Sequence, residues 1–69
     1  MNSANLHNAN LQEANLIKAD LSLANLSGAN LTKANLSLAN LIGVDLTLAN
    51  LQDTFMSEAN LIGTDLKDA

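Results

Sequence analysis

Residues 4–23 of this chain read ANLHNANLQEANLIKADLSL, which is one five-residue unit repeated four times. The unit continues to the last residue: leucine occupies every fifth position from Leu6 to Leu66, with Met56 as the exception. A small residue, usually alanine, lies two places before each of these positions, and asparagine or aspartate lies between them, except at Phe55. We call the five places of the unit the small, Asx, central, first corner and second corner positions. A fixed period of this kind indicates a repeat architecture.

A period of five residues excludes an amphipathic α-helix. At about 100° per residue, successive leucines would be rotated by about 140°, so no apolar stripe would form along the helix. The small and central positions are two apart, which is the alternation of an extended segment: both point one way and the Asx side chain points the other way. The pattern therefore predicts a short extended segment and a corner, repeated until the chain winds into a solenoid. The period alone does not decide whether each turn of the solenoid has three or four sides.

The run A(N/D)LXX resembles the pentapeptide-repeat family over nearly the whole chain, from Ala4 to Ala69. Twelve of the thirteen central positions are leucine, and twelve of the thirteen Asx positions are asparagine or aspartate. The resemblance implies an all-β fold, a right-handed quadrilateral parallel β-helix with four repeats per coil and about three and a half coils. It also implies that the small and central side chains face inward. We expect residues 1–69 to form a single solenoid domain with no linker and no capping extension.

The composition argues against an enzyme. The chain has no cysteine, hence no thiolate nucleophile and no thiol ligand for zinc, and it has a single histidine, His7. No glycine-rich phosphate loop occurs, and an interior filled by side chains offers no cleft for a substrate. We therefore expect no catalytic residues, no cofactor and no metal site. The absence of a long apolar run and of a basic, apolar leader predicts no membrane contact and a cytoplasmic location.

The net charge of −4 is unevenly distributed along the chain. Residues 1–35 are neutral overall, whereas residues 36–69 carry the whole excess of negative charge. Without a basic patch, direct binding to nucleic acid is not expected. The end coils of a solenoid expose core residues and unpaired backbone edges, so a neutral end and an acidic end favour a head-to-tail contact between copies. The candidate end contacts are Asn5, His7, Asp65 and Asp68.

Several apolar residues fall in outward phase. If one coil takes twenty residues, Ile42 and Ile62 share a column, Leu23 lies in the next column, and Leu38 lies at the edge of the same side. A contiguous exposed apolar patch often marks an interface, so Leu23, Leu38, Ile42 and Ile62 form a candidate lateral patch. The stacked Asx side chains are expected to hydrogen-bond along their columns, as amide ladders do.

Phe55 interrupts the pattern, because its phase is that of an outward Asx residue. Two alternatives are open. Either Phe55 points outward and is a candidate interface anchor, or the backbone bulges locally so that Phe55 turns inward and Met56 outward.

These features predict a non-enzymatic structural or interaction module whose partner is itself, assembled end to end into rods or filaments. The family resemblance supplies an alternative. Some pentapeptide-repeat proteins protect DNA gyrase from quinolones or peptide toxins by mimicking duplex DNA, so an acidic DNA-mimicking protein that binds gyrase is the second hypothesis. The short chain, with its charge confined to one end, departs from that pattern.

Overall fold

The computed structural model describes residues 2–69, which contain β-bridges and turns but no helix and no strand longer than a single bridged residue. Every bridge is parallel and joins an Asx position to the one twenty residues later. The bridged pairs are Asn5–Asn25, Asn10–Asn30, Asn15–Asn35, Asp20–Asn40, Asn25–Asp45, Asn30–Asn50, Asn35–Phe55, Asn40–Asn60 and Asp45–Asp65. One turn of the winding therefore takes twenty residues, or four repeats, and the fold is all-β.

Each corner is a tight turn that connects two sides. The N–H of the small residue donates to the C=O of the preceding central residue, as from Ala29 to Leu26 at 3.0 Å. Within residues 2–69, the residue at each of the fourteen second corner positions, from Ser3 to Asp68, is left-handed, with φ between 56° and 70°. A single left-handed residue in third place is the geometry of a type II turn, which glycine adopts without strain. Gly28, Gly43 and Gly63 occupy this place, and eleven other repeats put a residue with a side chain there.

Backbone hydrogen bonds between successive turns follow one scheme throughout. The central and second corner N–H groups donate toward the C-terminal end: Leu26 N–H to Asp45 C=O and Gly28 N–H to Thr47 C=O, both at 2.8 Å. The Asx N–H donates in the opposite direction, as from Asp45 to Ala24 C=O at 3.1 Å. Each repeat thus makes three bonds to the next turn, and the bonds pair the otherwise orphaned polar groups of very short extended segments.

The core is a column of leucines flanked by small residues. The central residues from Leu21 to Leu46 are fully buried, which confirms the predicted inward phase. Burial falls toward both ends because the terminal turns have a neighbour on one side only. Leu6 and Leu11 are half-buried, whereas Leu61 and Leu66 are 38% and 43% exposed.

The structure decides between the two alternatives at Phe55. The backbone keeps the regular scheme there, since Phe55 N–H donates to Ala34 C=O at 2.9 Å and Leu36 N–H donates to Phe55 C=O at 2.7 Å. The Phe55 side chain is 61% exposed, and Met56 packs against the core. Phe55 therefore points outward and no bulge forms.

Candidate interaction surfaces

The Asx side chains hold the corners rather than each other. In twelve repeats the side-chain Oδ1 accepts a hydrogen bond from the backbone N–H two residues later, at 3.0–3.2 Å. This is the local turn that asparagine and aspartate form most readily. The predicted amide ladder along the columns is wrong: within residues 2–69 no Asx amide donates to an Asx oxygen of the next turn. Because the corner needs only an acceptor, asparagine and aspartate are interchangeable at this position.

Hydroxyl groups at the first corner position reinforce four of these turns. The hydroxyls of Ser22, Ser27, Thr32 and Thr47 donate to the same Oδ1 at 2.6–2.7 Å. The hydroxyl and backbone N–H of Ser22 lower the pKa of Asp20, and the backbone N–H and hydroxyl of Thr47 lower the pKa of Asp45. Hydrogen bonds to a carboxylate favour its charged form. Both carboxylates are therefore committed to their own corners.

Threonine at the small position is accommodated by a hydrogen bond. Thr54 Oγ1 donates to Leu31 C=O at 2.8 Å, and Thr64 Oγ1 donates to Leu41 C=O at 2.7 Å. Each acceptor lies one turn earlier, so these hydroxyls add bonds between turns on the inner side of the wall. A polar group that faces the core is stabilised in this way because its bonding capacity is used.

At the N-terminal end, the structure places Asn5 and His7 on the exposed rim. Asn5 Oδ1 accepts from the His7 N–H at 3.2 Å, and His7 Nδ1 lies 2.7 Å from Ser27 Oγ. The Asx residues of the first turn also lie on this rim. Their N–H and C=O groups are the ones that, in later turns, bond to the preceding turn. These residues are Asn5, Asn10, Asn15 and Asp20, and within residues 2–69 their N–H groups have no backbone acceptor.

At the C-terminal end, Asp65 and Asp68 lie in the last turn and are exposed. Asp65 Oδ1 accepts from the Lys67 N–H at 3.1 Å, and Asp68 is a left-handed corner residue. Here the free groups are the opposite set: central and second corner N–H groups, and small-residue C=O groups. Within residues 2–69 no backbone acceptor is bonded to the N–H of Leu51, Met56, Leu61 or Leu66.

Polar residues divide the candidate lateral patch into a cluster of three apolar residues and a single leucine. Leu23, Ile42 and Ile62 line one corner of the solenoid, and Leu38 lies on the neighbouring corner. The bridged column Asp20–Asn40–Asn60 runs between those corners. Leu23 folds against Gly43, where an added Cβ would lie 2.8 Å from Leu23 Cδ2. The small residue at position 43 thus lets the exposed leucine cover the backbone of the next turn.

Residues 2–69 enclose no pocket, and no three of their histidine, aspartate and glutamate side chains converge on a point that could hold a metal ion. Nor does any helix long and apolar enough to cross a membrane occur in this part of the chain. The prominent surfaces are therefore the two ends, the lateral patch and Phe55.

The twenty-residue bridge spacing and the leucine-filled interior define a parallel β-solenoid repeat protein. The chain belongs to the pentapeptide-repeat family: the family model described as pentapeptide repeats matches residues 4–41 and 39–69 with eight copies. This confirms the family predicted from the A(N/D)LXX run. Members of the family are generally non-enzymatic structural or interaction modules.

Solved structures of cyanobacterial pentapeptide-repeat proteins are similar to this chain. Rfr23 from Cyanothece 51142 is 44% identical, with a TM-score of 0.84 over 91% of this chain and 41% of its own. The protein alr5209 from Nostoc Pcc 7120 is 40% identical, with a TM-score of 0.40 over 94% of this chain and 62% of its own. The chain thus spans less than two thirds of the length of either. No curated protein matches it.

Proposed function

We propose that this chain is a non-enzymatic structural module that self-associates end to end into rods or filaments, with another copy of itself as the partner. With this function we propose the finer architecture, a right-handed quadrilateral β-helix of about three and a half coils. A cytoplasmic location remains part of the proposal.

One observation carries the proposal: the hydrogen-bonding groups at the two ends are complementary. The N-terminal rim offers Asx N–H donors and the C=O groups of Asx and first corner residues. The C-terminal rim offers small-residue C=O groups and the N–H groups of central and second corner residues. In the interior of the chain these same sets pair with each other at 2.7–3.1 Å. Stacking the N-terminal rim of one copy on the C-terminal rim of another therefore repeats a contact that the molecule already makes between its own turns.

Apolar burial supports the same contact. Leu61 and Leu66 are 38% and 43% exposed at the C-terminal rim, whereas central leucines in the middle turns are fully buried. A second copy would cover these side chains, and burying apolar area contributes about 25 cal/mol per Å². Unpaired strand edges favour association of this type unless they are blocked. Two rims that each pair only with the other produce an open assembly rather than a closed dimer.

The test compares the assembly state of the purified 69-residue chain with that of rim variants. Light scattering and negative-stain microscopy should show rods for the unchanged chain. Leu66→Asp and Leu6→Lys should give particles of the monomer mass, 7.2 kDa, because each variant puts a charge into the stacked contact. Circular dichroism would verify that each variant is folded.

Leu23→Asp is the control, since Leu23 lies at the same corner as Ile62 and is 64% exposed, but a later turn of its own chain separates it from the C-terminal rim. It should leave the rods intact. Loss of rods with Leu23→Asp, but not with the rim variants, would instead indicate assembly through the lateral patch. A monomeric unchanged chain would overturn the proposal.

The gyrase-binding alternative rests on the family and on the acidic second half of the chain. It predicts inhibition or protection in a gyrase supercoiling assay at micromolar protein. No effect in that assay would remove it.

A further inference from the structure

We infer that end-to-end contact selects one rotational register, in which Lys18 of one copy pairs with Asp68 of the next. The inference rests on the proposed end-to-end assembly. Since the solenoid has four similar sides, a second copy can stack in four rotations that all keep the leucines inward. The number of backbone bridges that continue between the copies distinguishes the rotations, and so do the charged side chains on the rims.

The winding itself favours one of the four rotations. Each end of a solenoid is a step rather than a flat surface, because the chain climbs by one turn every twenty residues. One rotation keeps the largest number of parallel bridges between the copies. It stacks Asn5 of the second copy on Phe55, Asn10 on Asn60 and Asn15 on Asp65. Three of the four sides then continue the parallel bridges.

In this register the second corner positions meet without any repulsion. Ser3 of the second copy lies over Asp53, Asn8 over Glu58, Glu13 over Gly63 and Lys18 over Asp68. Stacked positions in adjacent turns are about 4.8 Å apart, which allows an ammonium and a carboxylate to pair. Glu13 meets the one second corner position of the last turn that carries no side chain.

The next rotation loses this complementarity. Turning the second copy by one side brings Glu13 over Asp68, which stacks two negative charges, and it moves Lys18 away from Asp68. Like charges directly opposite each other in neighbouring strands are destabilising. The two remaining rotations pair still fewer backbone groups. The charges therefore favour the same rotation that the winding favours.

Lys18 and Asp68 cannot form this pair within one molecule. Lys18 shares its corner with Leu38 and Glu58, and Asp68 shares a different corner with Gly28 and Leu48. The two corners are diagonally opposite in a four-sided turn. Both side chains are exposed, so both are free to contact a second copy. A charge exchange between these positions therefore reports on contact between molecules alone.

The test is a charge-exchange series at low ionic strength, where exposed pairs are least screened. Lys18→Glu and Asp68→Lys should each raise the concentration required for rod formation by about 5-fold, because each turns one attraction into a repulsion. The double variant carries the exchanged pair, so the concentration that it requires for rod formation should equal that of the unchanged chain. Glu58→Lys is the matched control for Asp68→Lys: it makes the same charge change in the last turn but faces Asn8, so it should have no such effect.

The outcomes separate this inference from the proposed function. Rods that form at the same concentration in both single variants would overturn the register and leave end-to-end assembly standing. A double variant that requires as high a concentration for rod formation as the single variants would also overturn the register. If the unchanged chain forms no rods, the proposed function fails first, and the register with it.

Discussion

Within residues 2–69, Phe55 is the only residue at an Asx position whose side chain provides no acceptor for its corner. In the other twelve repeats an Oδ1 accepts the first corner N–H at 3.0–3.2 Å, whereas Phe55 has no oxygen to offer the N–H of Ser57. Phe55→Asn should restore the missing bond, because the backbone at residue 55 already follows the regular scheme. We therefore expect this substitution to repair the corner without rearranging the turn.

The magnitude follows from two opposing changes. A hydrogen bond of this kind contributes about 0.5–1.5 kcal/mol net. The ring is 61% exposed, so about two fifths of it is covered, and losing that contact costs about 1 kcal/mol if full burial of a phenylalanine is worth about 1.5–3 kcal/mol. Phe55→Ala loses the contact and gains no acceptor. Phe55→Asn should accordingly be about 1 kcal/mol more stable than Phe55→Ala, or about 4–8 °C higher in Tm.

Asn35→Ala is the converse change one turn earlier in the same column, and it should cost about 1 kcal/mol. Urea unfolding followed by far-ultraviolet circular dichroism suits all three variants, since the chain has no tryptophan or tyrosine. If Phe55→Asn is no more stable than Phe55→Ala, the Oδ1 bonds do not stabilise the corners and the reasoning is refuted.

Three further predictions concern the core, acid stability and the corners. Leu36→Ala should cost about 2–5 kcal/mol in urea unfolding, and Leu66→Ala much less, because the first side chain is fully buried and the second is 43% exposed; equal losses would contradict the burial gradient. The lowered pKa of Asp45 means that its charged form stabilises the fold above the ordinary value of 3.8, and that this contribution is lost as the pH falls below it. Asp45→Asn keeps the acceptor and should reduce the loss of stability between about pH 6 and about pH 2, whereas an unchanged loss would argue against the shift. Gly28→Ala and Gly63→Ala should each cost about 1–2 kcal/mol in thermal unfolding because both residues are left-handed; the Cβ added at position 28 meets only the end of the exposed Asn8 side chain, which can move aside, so a much larger loss at Gly28 would contradict this account.

The inward half of the fold was predictable from the sequence because it depends on a repeated size pattern. Small and large apolar residues two apart dictate which side chains face the core, and Leu31 and Ala34 lie where the period puts them. The number of sides per turn was not predictable from the period alone, since either a three-sided or a four-sided winding would keep the leucines inside. The family resemblance implied four, in agreement with the twenty-residue bridge spacing.

The outward half was harder to predict because a polar side chain has several partners to choose from. Asn30 was expected to bond along its column, but its Oδ1 accepts the Thr32 N–H at 3.0 Å and the Thr32 hydroxyl at 2.6 Å. The signal was present in the sequence as the frequent serine or threonine two residues after an Asx residue. The lateral patch likewise depended on which corners its members share, and only the structure separates Leu38 from Ile42 by a polar column.

The constant twenty-residue separation of the bridged pairs has a consequence for how the chain folds. No contact between turns requires the closure of a loop longer than one turn, so the entropic cost of adding a turn is the same anywhere along the chain. A structure of this kind grows by zipping from whichever turn forms first, rather than waiting for distant segments to meet. The fully buried stretch from Leu21 to Leu46 has neighbours on both sides and is the natural nucleus. We therefore expect unfolding to run inward from the terminal turns, and amide hydrogen exchange to slow from the rims toward the middle turns.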